Sequence, residues 1–438
     1  MRLIDRFAAG VSLLVCFSVV AAFQERTDVF VDSRDHPAIA YSTAPTHDPV
    51  TEVDDKLQKG SIQFTFDRDT GYLRSILDAL KIPIESQLLV FSETSAQAKR
   101  INPRNPRALY FNDTVAVGWV RGGEFLELAA HDPQQGVVFY TIYQTPSGKP
   151  RFKRDNDCLR CHLTWDTLGV PGLQVLSTFQ MSDDPNVYAT GIVADHRSPL
   201  SMRWGGWYVT GRVESAEHLG NVPVIVKEEE LKKGRGRTPQ RESVAGLFDT
   251  SGYPSHSSDV VALMVLEHQT RMTNLLTRIG WEARLAMHGR PTPSPPSKGP
   301  VDTGDVPPRV RQAAYDLVEY LLFINEEPLT GQIEGSSGFA GWFSVQGPRD
   351  RKGRSLREFD LKRRLLRYPC SYMIYTPAFD ALPALAKSAV YSRMWQILSG
   401  EEKEALNGRL SLADRQAIIE ILRDTKKDLP DYFRGSTK

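Results

Sequence analysis

Residues 108–143 read ALYFNDTVAVGWVRGGEFLELAAHDPQQGVVFYTIY. Residues 108–111, 115–119, 125–130 and 136–143 are runs rich in β-branched and aromatic side chains, the composition of strands. Asn112-Asp113, Arg121-Gly122-Gly123 and His131-Asp132-Pro133 stand between them and supply turns. Short polar links between successive strands give hairpins, so the four runs pair antiparallel. With its flanks the stretch predicts an α+β fold, an antiparallel strand-rich N-terminal half followed by a mainly helical C-terminal third.

Upstream, Leu73, Ile76, Leu77 and Leu80 keep helical spacing. Residues 24–58 mix Pro, Asp, Thr and Ser without a period, and read as extended. At the start, Arg2 and Arg6 precede an apolar run over residues 7–22 that ends on Val20-Ala21-Ala22. That is the pattern of an export signal cleaved after Ala22, with an uncleaved anchor as the alternative. The run is short for a bilayer span, which needs about 20 residues. The mature chain is therefore expected outside the cytoplasmic membrane, periplasmic in a bacterium, with no integral membrane span.

Downstream, residues 187–193 and 207–213 read as two further strands, and 227–241 as a charged, solvated loop. Along residues 259–286, Val261, Met264, His268, Met272, Leu275 and Ile279 form one apolar helical stripe. His268 on that stripe reads first as a hydrogen-bonded core histidine. Residues 291–308 hold seven prolines and read as a linker. Residues 310–323 and 384–398 are amphipathic helices, and Ser411 with Asp414 forms a capping box ahead of another. The basic run 349–367 reads as a salt-bridged helix face, with cover for the carboxylates of a bound group or an acidic partner as the alternative. The organisation expected is 1–22 signal, 23–60 extended leader, 61–255 strand-rich region, 256–290 long helix, 291–308 linker and 309–438 helical region.

The chain has 438 residues, 24% of them charged, and a net charge of +1. That balance argues against a nucleic-acid binder. Hydrophobic residues make up 41%, enough for a packed core.

Directly after the meander comes Cys158-Leu159-Arg160-Cys161-His162. C-x-x-C-H is the attachment pattern of c-type haem. Two thiols at this spacing reach the two vinyl groups of one porphyrin, and the adjacent imidazole serves as an axial ligand. Cys158, Cys161 and His162 are thus the expected haem contacts. A redox dithiol and half of a zinc site are the alternatives. The other cysteines, Cys16 and Cys370, supply no second C-x-x-C. The motif follows a basic polar run rather than a strand, unlike a thioredoxin-type dithiol. Cys370 is expected as a small buried hydrophobe.

The sixth iron ligand separates electron transfer from small-molecule chemistry. Met181, His196, Met202, His218 and His268 are candidates, with His196 preferred because it opens a probable loop; an open position is the remaining possibility.

The chain resembles exported bacterial proteins that carry a single c-type haem motif, a cytochrome c-like family. The blocks that carry the likeness include residues 106–113, 117–120, 169–172, 195–211, 218–221, 267–270, 367–372 and 429–432, besides the motif itself. The resemblance implies a covalent haem c and no established activity, and it places His196, His218 and His268 in shared blocks. The expectation is haem binding with electron transfer to a redox protein partner or a small-molecule substrate. A peroxidase-like haem oxidoreductase, with Arg197, Arg203 or His196 assisting at an open site, and a haem-based sensor are the alternatives.

Overall fold

A computed structural model describes residues 33–146, 149–178, 191–214, 217–221, 239–290, 299–301, 303–402 and 410–434. The expected signal, Met181 and most of the 227–241 run lie outside the described residues.

The strands are β1 (Leu88–Val90), β2 (Arg107–Phe111), β3 (Val115–Trp119), β4 (Phe125–Asp132), β5 (Gly136–Tyr143), β6 (Lys153–Arg154), β7 (Val175–Thr178), β8 (Gly191–Ala194), β9 (Trp207–Tyr208), β10 (Arg212–Val213) and β11 (Ile333–Glu334). Seven of them form one antiparallel sheet in the order β6-β5-β4-β3-β2-β1-β9, and the meander is its centre. β7 pairs with β8, and β10 with β11.

Strand alternation gives the sheet two different faces. Tyr110, Val117, Leu126, Leu128, Tyr140 and Ile142 belong to a core completed by α1 (Pro49–Gln58) and α2 (Leu73–Leu80). α1 begins on Asp48, whose carboxylate accepts from Val50 N and Thr51 N and also takes the Tyr140 hydroxyl at 2.5 Å. The segment read as an extended leader is therefore partly helical and buried, with Ile39, Tyr41 and Val50 in the core. Its apolar positions are too few to show a period before the sheet supplies their partners.

The other face presents Leu109, Gly118 and Glu127 in one row, and Ala116, Ala129 and Phe139 in the next. Small side chains at the centre leave a hollow. Across it runs α4 (Val260–Met287), about 42 Å long at 1.5 Å per residue. Asp259 caps it through Val261 N and Ala262 N, and also holds Ser336 N and Ser337 N. The helix is buried along most of its length because the sheet covers one side and the C-terminal helices the other.

Those helices are α5 (Pro308–Leu321), α6 (Phe339–Ser344), α7 (Pro377–Asp380), α8 (Ala384–Ser399) and α9 (Leu412–Thr425), following the short α3 (Leu159–His162) earlier in the chain. α8 ends on Gly400 at φ 85°, and α9 starts with the Ser411–Asp414 capping box. Pro308, assigned to the linker, is the first residue of α5, where a missing N–H costs nothing.

Three expectations need correction. The 207–213 run is two strands in different sheets, broken at Gly211, whose φ of +114° is closed to ordinary residues. The basic run 349–367 is not helical. Its cations are ion-paired in turns: Arg351 with Asp424, Lys352 with Glu420, Arg354 with Asp350, Arg367 with Glu358. The motif does follow a strand, the two-residue edge strand β6, too short to be legible in a basic run. No described helix is long and apolar enough to cross a membrane.

Candidate functional site

After β6 the chain turns through Asn156–Cys158, with the Asp155 carboxylate accepting from Asp157 N, and enters α3. This turn sets the two cysteines differently. Cys158 is half-buried and faces inward; Cys161 is exposed, and both are free thiols. Burial, with Asp155 and Glu127 nearby, pushes the Cys158 thiol up to about 12. Redox dithiols work with depressed thiol pKa values, so this environment argues against that alternative. Among the described residues no three His, Cys, Asp or Glu side chains converge as a metal-ion cluster.

His162 lies with its ring 4.7 Å from that of Phe139. Its Nδ1 is 3.0 Å from the Gly172 carbonyl oxygen. A carbonyl only accepts, so Nδ1 carries the proton and Nε2 keeps a lone pair. Burial lowers the His162 pKa to about 4, against the pull of that hydrogen bond, and the ring is neutral at physiological pH. The carbonyl is held in turn: the Asn274 amide of α4 takes Leu173 N at 3.0 Å and gives to Leu173 O at 2.7 Å. A Cβ on Gly172 would stand 2.2 Å from Asn274 Oδ1, so only glycine permits this approach.

His162 and Cys158 open onto a cleft of about 120 Å³ in the hollow of the sheet. Its walls are mainly apolar: Leu109, Ala116, Ala129, Phe139, Val175 and Trp207 among them. Arg107 and Glu127 form an ion pair of 2.9 Å on its floor. The Arg107 guanidinium lies over Gly118, where a Cβ would meet it at 2.4 Å, and its Nε is buried without a partner. A free imidazole lone pair, an inward thiol and an apolar wall suit a haem edge. A full macrocycle needs more room than the cleft of about 120 Å³ holds.

The structure does not bring His196 to this cleft. Leu266 and Thr270 of α4 line it, and His268 lies two residues from each, on the opposite side of the helix. His196 packs there instead, 2% exposed, with Nδ1 2.9 Å from Nδ1 of His268. His268 Nε2 continues to Ser371 Oγ at 2.7 Å, and both imidazoles stack on Tyr320 and Phe323. The expectation that His268 is a satisfied core histidine agrees with this arrangement. Ser371, His268 and His196 have the order of a nucleophile, base and orienting group, yet they are sealed in the core. Beside them Arg203 and Glu267 form a buried ion pair of 3.1 Å, and burial raises the Glu267 pKa to about 7 against the opposing pull of Arg203. His218 is buried against Trp204, its Nδ1 accepting from Gly220 N. Met202 ends a 3-10 turn and is also absent from the cleft wall. Cys370 is fully buried, as expected of a small hydrophobe.

Arg107, Glu127 and Gly172 were not singled out from the sequence as site residues. Strand alternation marks the first two, since they share a face with Ala129 and Phe139; the role of Gly172 has no local signal. Comparison of the chain with protein-family models, with curated proteins and with solved structures found no match.

Proposed function

We propose that the protein is an exported carrier of one haem c that works in one-electron transfer with a redox protein partner or a small-molecule substrate. In this reading Cys158 and Cys161 would hold the haem covalently through their sulfurs, and His162 Nε2 would be the protein's donor to its iron. When bound, the haem supplies a reversible one-electron couple. The chain's own residues hold a neutral imidazole in one tautomer, exclude water from one edge of the group, and place the Arg107 charge on the cleft floor.

The observation that carries the reading is the His162–Gly172 hydrogen bond of 3.0 Å inside a C-x-x-C-H motif. A metal-ligating histidine characteristically donates its second ring N–H to a carbonyl or carboxylate. The test is a spectroelectrochemical titration of protein made with c-type maturation factors. A reversible one-electron transition is expected. The absence of any redox-active chromophore would overturn the reading, and rapid turnover of hydrogen peroxide would replace electron transfer with the peroxidase alternative.

A further inference from the structure

The basic run 349–367 holds a single buried cation, Arg357, which is 6% exposed. Its guanidinium lies over two rings, 4.6 Å from the centroid of Phe343 and 4.2 Å from that of Tyr372. The rings meet at 84°, and the cation sits in the corner they make. Ring faces attract the charge but satisfy N–H groups only weakly. Nη2 donates to the Asp113 carboxylate, whereas Nε and Nη1 are buried with no acceptor. A guanidinium has only donors, so the N–H groups on these two nitrogens remain unanswered.

Arg357 and Asp113 both line a cleft of about 470 Å³, a volume that suits a small molecule. None of the residues lining it lines the cleft beside His162. Lys81 stands on its wall at the end of α2, exposed and with no ion pair among the described residues. Gly347, at φ +77°, brings the chain against Arg357; a Cβ there would stand 3.1 Å from Nε. Trp342 and Pro348 add apolar wall, and the Trp342 indole N–H has no partner among the described residues. The Tyr375 hydroxyl, also in the lining, is already committed to Thr425 Oγ1 at 2.6 Å. Arg357 and Lys81 are therefore the cationic donors this cleft still offers.

We propose that the cleft binds a small organic carboxylate, with Arg357 and Lys81 answering its charge and Trp342 packing on its apolar body. Lys81 and Arg357 against Asp113 leave one excess positive charge in the lining, which a carboxylate neutralises. Inorganic phosphate, close to doubly charged at neutral pH, exceeds that charge and meets Asp113. A carboxylate offers two coplanar oxygens to a guanidinium edge, a match that arginine makes and lysine does not. The site is independent of the haem reading, and neither depends on the other.

The test is calorimetric titration of the full chain with benzoate, with its uncharged analogue benzamide, and with inorganic phosphate. Benzoate is expected to bind saturably, once per chain, with the other two weaker by about tenfold or more. Lys81→Ala, at an exposed position, should weaken benzoate by about threefold. Asp113→Asn still accepts from Nη2 but removes the competing anion, and should tighten benzoate severalfold. Arg357→Lys keeps the charge without the fork, and should weaken it by about tenfold or more. If the lysine variant does not fold, the Lys81 and Asp113 variants decide the question. Benzoate that fails to saturate by about 1 mM would overturn the proposal, as would equal affinities in the parent, Lys81→Ala and Asp113→Asn. Phosphate or benzamide binding as tightly as benzoate would overturn the assignment of a carboxylate.

Discussion

His162 Nδ1 sits 3.0 Å from the carbonyl oxygen of Gly172, and the chain just beyond that carbonyl is clamped at Leu173 by the Asn274 side chain. The orientation of the motif imidazole thus depends on a residue of the long helix more than a hundred positions later. Asn274→Ala removes both hydrogen bonds and should cost about 1–3 kcal/mol of stability in denaturant unfolding. In holoprotein the midpoint potential should rise, because an imidazole whose carbonyl partner is no longer clamped in place is a weaker donor to ferric iron. An unchanged potential would show that the Asn274 clamp does not tune the ligand.

His196→Ala tests where the second histidine belongs. His196 touches His268, Tyr320 and Phe323 rather than the cleft. The variant should lose about 2–4 kcal/mol through the cavity and the broken hydrogen bond. Its ferric absorption spectrum should match the parent. A shift from low to high spin would instead restore His196 as an iron ligand.

Acid should destabilise the protein. Burial lowers the pKa of His131 and His218 to about 4 and of His268 to about 3, and holds His196 well below its ordinary value of 6.5. Below pH 6.5 these groups bind protons only when unfolded, so their stability contribution is lost as pH falls toward the folded values. Glu267 and Glu326, both raised to about 7 by burial, act in the opposite sense: their contribution is complete below about 4.5 and lost as pH rises through 7. Between pH 4.5 and 6.5 these four histidines, with His162 of the motif acting in the same sense, oppose two glutamates, and each group fully in play contributes about 1.4 kcal/mol per pH unit. Unfolding midpoints measured at pH 6.5, 5.5 and 4.5 should therefore decrease in order. A flat series would mean that the imidazoles are not held neutral.

Arg203→Ala should be among the most damaging single changes. Arg203 donates to Glu267, Ser198 O and His196 O, and the Arg203 and Glu267 side chains are only 2% and 0% exposed. Removing the cation leaves a buried carboxylate without compensation, a loss of about 3–5 kcal/mol. Arg203→Ala combined with Glu267→Gln should recover part of it. Equal stability of the single and double variants would show that the pair is not coupled.

The meander was legible because its strands alternate and its turns carry Asn, Asp, Gly and Pro at the breaks. The long helix and the Ser411 capping box were legible for similarly local reasons. The site was legible only as far as its motif. Ala116, Gly118 and Ala129 form a hollow only because register sets them side by side on two neighbouring strands, and register is a tertiary property. The same holds for His196 and His268, which are 72 positions apart and meet through packing. His131 read as a turn residue because Asp132-Pro133 follow it; alternation from Glu127 through Ala129 was the signal that placed it on the cleft face.

The central claim is tested most directly by intact mass spectrometry with a pyridine haemochrome spectrum, on protein exported from cells with c-type maturation machinery. The account predicts one covalently bound haem per chain, with the c-type haemochrome, and its loss in the Cys158→Ser, Cys161→Ser double variant. A mature parent chain with the mass of polypeptide alone, made alongside a control cytochrome that is fully loaded, would contradict it.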